Sequence, residues 1–144
     1  MAFAGIRVTR TLQARRERIF RAWTRPELMA RWFFPGEDWT CEVTSDLRVG
    51  GRWRVLMRDA DGAQHDQFGE YREIVSESRL VFTWSCPDLG VEGSVVTVEL
   101  REVGDATELT LTHALPPDPN VRRGHEEGWQ GCLSNLEKSL KDAD

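Results

Sequence analysis

The stretch that decides the fold is DPNVRRGHEEGWQGCLSNLEKSLK, residues 118–141. Its apolar residues and one histidine recur at spacings of three and four, which places them on one helix face: His125, Trp129, Cys132, Leu133, Leu136 and Leu140. Most other positions are polar or charged. Asp118 followed by Pro119 is a typical helix start, because aspartate caps free backbone N–H groups and proline suits the first turn. We therefore predict one long amphipathic helix.

The residues before this helix predict seven strands and two short helices. A first strand spans 6–12, and six more span 40–47, 52–58, 64–75, 80–85, 94–102 and 106–113. Short helices are predicted at 17–23 and 26–33. A capping box at 24–27 starts the second helix, and Pro35-Gly36 stops it. The order β-α-α-β6-α predicts an α+β fold in which the long helix lies on an antiparallel sheet.

Alternation along the strands predicts which side chains face the long helix. Trp53, Val55 and Met57 share one face of their strand, as do Leu80, Phe82 and Trp84 of a later one. Strand 64–75 is less regular, because Phe68 and Ile74 are in phase with each other and Tyr71 is not. A bulge at Gly69 would account for this, and the register there stays open.

Composition restricts the class of protein. The 144 residues suit one domain spanning 1–144, and the net charge of −5 is spread without basic blocks. This argues against a nucleic-acid partner. No window approaches the roughly 20 apolar residues of a membrane span, and the N-terminus lacks a signal-peptide pattern. Three cysteines without a C-x-x-C motif favour reduced thiols, so we expect a cytoplasmic protein.

Six local strings, in chain order, resemble a known family. They are IFRAWTRPELMARWFFP (19–35), GGRWRVLM (50–57), GEYREI (69–74), RLVFTW (79–84), TELTLTH (107–113) and HEEGWQGCLSNLEKSL (125–140). The chain resembles a START-like, helix-grip (SRPBCC) domain of the heat-shock protein 90 ATPase activator homologue type. The resemblance implies a curved antiparallel sheet wrapped around the long C-terminal helix, with a cavity between them. Domains of this superfamily bind lipids, sterols, polyketides and other apolar molecules, and a minority are cyclases or hydrolases.

The inward strand positions and the helix stripe predict an aromatic-walled cavity for a small apolar or amphipathic, lipid- or polyketide-like ligand. The candidate ligand-binding residues are Trp53, Val55, Met57, Tyr71, Phe82, Trp84, Val98, Leu109, Leu111, His113, His125, Trp129 and Leu133. The two short helices and residues 32–39 would form part of its entrance. Trp23, Trp32 and Trp39 are expected to pack around the short helices and the rim. A filled aromatic core is the alternative interpretation of the same residues.

Two other functions stay open at this point. The first is a protein-interaction module, either a chaperone co-factor or a homodimer. The second is an enzyme that uses His113 or His125 as acid and base, although hydrogen-bonded structural histidines are the more ordinary interpretation. The dispersed cysteines and histidines predict no metal site, and no motif suggests a cofactor. Gly128 is expected to allow close approach of the long helix to a strand.

Overall fold

The computed structural model describes residues 5–141. Its elements in chain order are β1 (Gly5–Leu12), α1 (Arg16–Thr24), α2 (Pro26–Met29), β2 (Thr40–Ser45), β3 (Arg52–Arg58), β4 (Gln64–Val75), β5 (Arg79–Cys86), β6 (Val91–Val103), β7 (Ala106–Ala114) and α3 (Pro119–Lys141). The seven strands, the two short helices and the long helix that the sequence predicts are all confirmed. A turn of 3-10 helix between β5 and β6, Pro87–Leu89, was not predicted.

The strands form one antiparallel sheet in the order β1-β7-β6-β5-β4-β3-β2. The first two strands therefore lie at opposite edges, and α1 and α2 belong to the connection between them. The strand β5 is central, and seven of its eight residues are buried. The curved sheet and the long helix α3 on one of its faces give the predicted α+β helix-grip fold.

The long helix α3 begins and packs as its sequence predicts. Oδ1 of Asp118 accepts hydrogen bonds from the backbone N–H groups of Asn120 at 2.9 Å and Val121 at 3.4 Å. The predicted stripe is buried as far as Leu136, and Leu140 at its end is only partly buried. The helix is therefore anchored by the apolar face that the spacing identified.

Two glycines of α3 have roles that the sequence did not distinguish. A Cβ at Gly131 would lie 2.1 Å from the carbonyl oxygen of Pro35, so this glycine allows the close approach between α3 and the 33–39 segment. A Cβ at Gly128 would meet nothing within 4 Å. The expectation that Gly128 serves close packing is therefore wrong.

The bulge in β4 follows Tyr71, not Gly69. Tyr71 pairs with Phe82 and Glu73 pairs with Val81, so Arg72 is the additional residue. The inserted residue changes the alternation, and Tyr71 and Ile74 consequently both pack towards the core while Phe68 stays exposed. Gly69 is regular strand, and a side chain there would collide with the backbone of Thr83.

The second short helix is shorter than predicted, because α2 ends at Met29. After it, backbone N–H groups of Trp32 and Phe33 both donate to the carbonyl of Met29, and these turns carry the two rings into the interior. The predicted capping box is also wrong. Thr24 is the last residue of α1, and its Oγ1 donates to the carbonyl of Phe20 at 2.7 Å.

Candidate functional site

A cavity of about 510 Å³ lies between the N-terminal half of α3, one end of the sheet and the 3-10 helix. The helix α3 contributes Gly124, His125, Glu127, Gly128, Trp129 and Cys132. The strands β3, β4 and β5 contribute Met57, His65, Gln67, Trp84 and Cys86. The remaining wall comes from Pro35, Trp39, Asp88 and Leu89. The loop before β2 thus forms part of the rim as expected, whereas neither α1 nor α2 contributes to it.

Four of the thirteen sequence-predicted site residues line this cavity: Met57, Trp84, His125 and Trp129. Three others, Trp53, Tyr71 and Phe82, surround a deeper void of only about 10 Å³, which is too small for an organic ligand. The last six are buried in the core and line neither space: Val55, Val98, Leu109, Leu111, His113 and Leu133. The candidate ligand positions therefore reduce to those near the N-terminal half of α3.

Aromatic side chains from the β1–β2 connection fill the other end of the interior. The ring of Trp23 lies 6.1 Å from that of Trp129, and Phe33 lies 5.7 Å from Trp129 and 6.2 Å from Trp84. Trp32 packs behind them, 4.7 Å from Trp23. The interior is therefore filled with side chains at this end and open at the other. Trp23 packs against Trp32 beside the short helices, and its ring also reaches Trp129 in the interior.

The buried His113 has hydrogen-bond partners on both ring nitrogens. Nδ1 accepts the indole N–H of Trp129 at 3.1 Å, and Nε2 lies 2.7 Å from Oγ of Ser94. Burial, and to a smaller extent the neighbouring His125, together lower the pKa of His113 to about 3. His113 is therefore a neutral structural residue.

His125 differs from His113 because one of its ring nitrogens has no partner. Nδ1 lies 2.9 Å from the carbonyl oxygen of Val121 and donates to it, whereas Nε2 has no hydrogen-bond partner among residues 5–141. Burial lowers the pKa of His125, so its imidazole is neutral near pH 7. The cavity wall thus contains a neutral histidine whose free nitrogen is an acceptor.

His65 at the cavity rim is held between two carboxylates. Its Nδ1 lies 2.5 Å from Oδ2 of Asp88 and its Nε2 lies 3.0 Å from Oδ2 of Asp59, while its ring stacks on Trp39 at 5.1 Å. Hydrogen bonds to Asp59, then to Asp88, raise the pKa of His65. A protonated imidazole donates from both nitrogens, which matches this arrangement.

Sequence reasoning did not select His65 as a site residue. The sequence did contain one indication that Asp59 and His65 lie close together. They flank the Asp61-Gly62 turn, and the strands on either side of it, β3 and β4, pair with each other. The second partner, Asp88, is 23 positions away and comes from the 3-10 helix that was not predicted. The cluster therefore depends on tertiary structure that alternation alone does not define.

The cysteines are the other potentially reactive side chains in the described part of the chain. Cys41, Cys86 and Cys132 are free thiols. Burial raises the pKa of Cys41 to about 12 and also raises that of Cys132, which makes both thiols poor nucleophiles. Among residues 5–141 no three histidine, cysteine or acidic side chains are grouped as metal ligands would be. In the same range no helix has the length and apolarity needed to cross a bilayer.

The sequence profile of the family described as "Activator of Hsp90 ATPase homolog 1-like protein" matches residues 13–141. The chain belongs to this family. The resemblance in the six strings is thereby confirmed, and the Hsp90-activator-like match spans both the cavity and the filled end of the interior. A search of curated proteins finds no match to the chain.

Several solved structures of bacterial proteins share this Hsp90-activator-like fold. A protein from Chromobacterium violaceum is 29% identical, with a TM-score of 0.81 over 96% of this chain and 97% of that one. A protein from Nitrosomonas europaea is 27% identical, with a TM-score of 0.79 over 94% of this chain and 93% of that one. The AHSA1-like protein from Aeromonas hydrophila is 26% identical, with a TM-score of 0.79 over 94% and 92% of the two chains.

Proposed function

We propose that this protein binds a small apolar or amphipathic molecule, lipid- or polyketide-like, in the cavity beside α3. The observation that carries the proposal is the cavity itself, since about 510 Å³ lies within the roughly 300–1,000 Å³ of ordinary ligand sites. Its walls combine the apolar side chains of Met57, Trp84 and Trp129 with a few polar groups. This composition is typical of sites that bind an apolar body and orient it by one or two polar contacts.

Gly128 supports the same proposal, because it faces open space in the middle of a long helix. Glycine in a helix interior destabilises the helix by roughly 1 kcal/mol relative to alanine. A side chain at this position would project into the cavity, since a Cβ there meets nothing within 4 Å and Gly128 lines the cavity. The glycine therefore keeps volume open that a larger residue would fill.

Organic extraction and mass spectrometry of the purified protein test the proposal, combined with titration of the uncharged dye Nile red. The matched variants are Gly128→Leu, which fills the cavity, and Glu126→Leu, which adds the same side chain at an exposed position. We expect a co-purified apolar molecule or saturable dye binding in the wild type and in Glu126→Leu. Gly128→Leu should lose that binding while keeping or raising its melting temperature. Equal dye binding by all three proteins would contradict the proposal.

Enzymatic acid–base chemistry has less support from these residues. Both nitrogens of His65 are hydrogen-bonded to aspartates, so neither is available to take a proton from a substrate. His113 is similarly engaged. His125 has an available nitrogen but no carboxylate as a hydrogen-bond partner in the described chain. A general base that lacks such an orienting partner does not favour a cyclase or hydrolase.

A protein-interaction role also has less support than ligand binding. The exposed large apolar side chains of the described residues are distributed over the β2–β3 connection, β4, the 3-10 helix and β6: Leu47, Val49, Phe68, Val75, Leu89, Val95 and Val103. Exposed apolar residues of this kind are ordinary on monomeric proteins.

We further propose that the chain is one domain and that it is located in the cytoplasm. The family match over residues 13–141 supports the first proposal. The free thiols support the second, because thiols stay reduced in that compartment.

A further inference from the structure

The 3-10 helix Pro87–Leu89 lies at the edge of the cavity, between the sheet and the long helix α3. It connects β5 to β6, and both Asp88 and Leu89 line the cavity. Cδ2 of Leu89 lies 3.8 Å from the position that a Cβ of Gly124 in α3 would take. On the sheet side, Oδ2 of Asp88 lies 2.5 Å from Nδ1 of His65 in β4. This short segment therefore reaches both the sheet and α3 at the cavity edge.

The two aspartates that flank His65 are not held equally. Asp59 is fixed by its own turn, because its Oδ1 accepts the backbone N–H groups of Asp61 and Ala63 at 3.0 Å each. Asp88 has His65 as its one hydrogen-bond partner among residues 5–141, and its side chain is 52% exposed. The position of the 3-10 helix at the sheet side therefore depends on His65.

Only a protonated His65 can hold both aspartates. The imidazolium donates from both ring nitrogens, whereas a neutral imidazole has one N–H and presents a lone pair on the other nitrogen. Since Asp59 is fixed, the remaining N–H is expected to stay with it. The lone pair on Nδ1 then faces the Asp88 carboxylate, and this contact is repulsive. Hydrogen bonds to Asp59, then to Asp88, raise the pKa of His65, which places this change above the ordinary value of 6.5.

The side chains around His65 do not replace its charge. The ring that stacks on it at 5.1 Å, Trp39, is uncharged. The other titratable side chains that share the cavity wall with His65 and Asp88 are Cys86 of β5 and His125, Glu127 and Cys132 of α3. Among the described residues no lysine or arginine lines the cavity. A neutral His65 therefore leaves the carboxylates at the cavity edge without a compensating cation.

We propose that the 3-10 helix Pro87–Leu89 is a gate for the cavity, which the ion pair between His65 and Asp88 holds closed and which opens when His65 loses its proton. A bound molecule is retained while His65 is charged and exchanges faster once His65 is neutral. This inference rests on the proposed function and adds a pH-dependent control of ligand exchange at the same site.

Two measurements at about pH 6 and about pH 9 test the gate, one without a ligand and one with a probe. The first is the nuclear Overhauser effect (NOE) between the Leu89 methyl groups and the α protons of Gly124, which reports the closed gate directly. We expect this NOE at the lower pH and its loss at the higher pH. The second is stopped-flow release of Nile red, which should become roughly fivefold faster at the higher pH, since a partly exposed ion pair has a modest effect.

Variants separate the ion pair from other effects of pH. Asp88→Asn should keep the NOE and slow release at both pH values, because a side-chain amide can either donate to Nδ1 of His65 or accept from it. His65→Gln removes the titrating group and should remove the pH dependence of both measurements. The matched control is Glu92→Gln, which changes an exposed acid to its amide just beyond the 3-10 helix and should behave like the wild type. If His65→Gln fails to fold, Asp88→Asn decides.

The outcomes distinguish the gate from the proposed function. An NOE and a release rate that do not change with pH in the wild type would overturn the gate and leave the proposed function standing. A pH dependence that persists in Asp88→Asn would also overturn the gate. Absence of saturable Nile red binding at both pH values, with the NOE still lost at the higher pH, would overturn ligand binding and with it the role of the segment as a gate.

Discussion

The indole N–H of Trp129 donates to Nδ1 of His113 across 3.1 Å, and this bond determines which nitrogen of His113 carries the proton. Because Nδ1 accepts, Nε2 is protonated and donates to Oγ of Ser94 at 2.7 Å. The Ser94 hydroxyl in turn donates to the carbonyl of Trp84 at 2.8 Å. These bonds join α3 to β7, β6 and β5, so His113 fixes the long helix to the sheet.

Replacing Trp129 with phenylalanine should therefore destabilise the protein even though a ring is retained. The variant leaves Nδ1 of His113 buried without a donor, a loss of roughly 1–3 kcal/mol in the free energy of unfolding. Urea unfolding followed by circular dichroism measures it. Trp39→Phe is the matched control, because Trp39 lies at the rim and is only partly buried. Similar losses in the two variants would contradict the role of the hydrogen bond.

Acid should destabilise the protein well before the carboxylates titrate. The pKa of His113 falls from its ordinary 6.5 to about 3 on burial, so between these values the unfolded chain binds a proton that the folded chain does not. Stability is consequently highest above the unfolded pKa and falls by roughly 2 kcal/mol between about pH 6.5 and about pH 5. The lowered pKa of His125 acts in the same direction. Denaturant unfolding across this range measures the slope, and constant stability would refute the prediction.

His65 should make the free energy of unfolding fall as the pH rises, which is the opposite of the effect of His113. Its pKa is raised in the folded protein by hydrogen bonds to Asp59 and Asp88. Its contribution to stability is therefore complete below the ordinary value of 6.5 and is lost as pH rises through the folded pKa. In His65→Gln the loss of stability at high pH should disappear, while the loss of stability at low pH that comes from His113 should remain. Proton NMR titration of the imidazole provides the direct check, and a folded pKa at or below 6.5 would show the carboxylate pairing to be ineffective.

Two alanine substitutions in α3 should change stability in opposite directions. Gly128→Ala adds a methyl group in open space and should stabilise the protein by roughly 1 kcal/mol through helix propensity. Gly131→Ala places the same group 2.1 Å from the carbonyl oxygen of Pro35, so α3 must move away and stability should fall. Thermal unfolding of both variants gives the comparison. A stabilised Gly131→Ala would mean that the contact with the Pro35 backbone is looser than the structure describes.

Much of the fold was predictable because single elements encode it locally. Alternation in β3 and β7, and the three-four spacing of α3, follow from the geometry of strand and helix alone. The β4 register was not predictable, because the bulge after Tyr71 depends on how β4 pairs with β5. Asn135 shows the same limit. It is polar and buried on α3, and its Nδ2 donates to the carbonyls of Phe34 and Gly36, whose positions no local pattern defines.

The site was less predictable than the fold. Alternation identifies side chains that face inward, but not whether the interior beside them is filled. The rings of Trp23 and Phe33 fill the space near Trp53 and Phe82, and these rings come from the β1–β2 connection, where no alternation applies. At the open end, Gly128 and the 3-10 helix shape the cavity, and neither produces an apolar signal in the sequence.

β1 lies at an edge of the sheet and pairs only with β7, which has a consequence for the order in which the strands fold. Residues from β2 to β7 form successive antiparallel neighbours, so each strand can pair soon after the ribosome releases it. β1 is made first and cannot pair until β7 exists, since Gly5 lies opposite Ala114. Contacts between residues so distant in sequence form slowly. While the residues up to β7 are being synthesised, β1 therefore has no partner strand. We expect the docking of β1 on β7 to be a late folding step that completes the sheet.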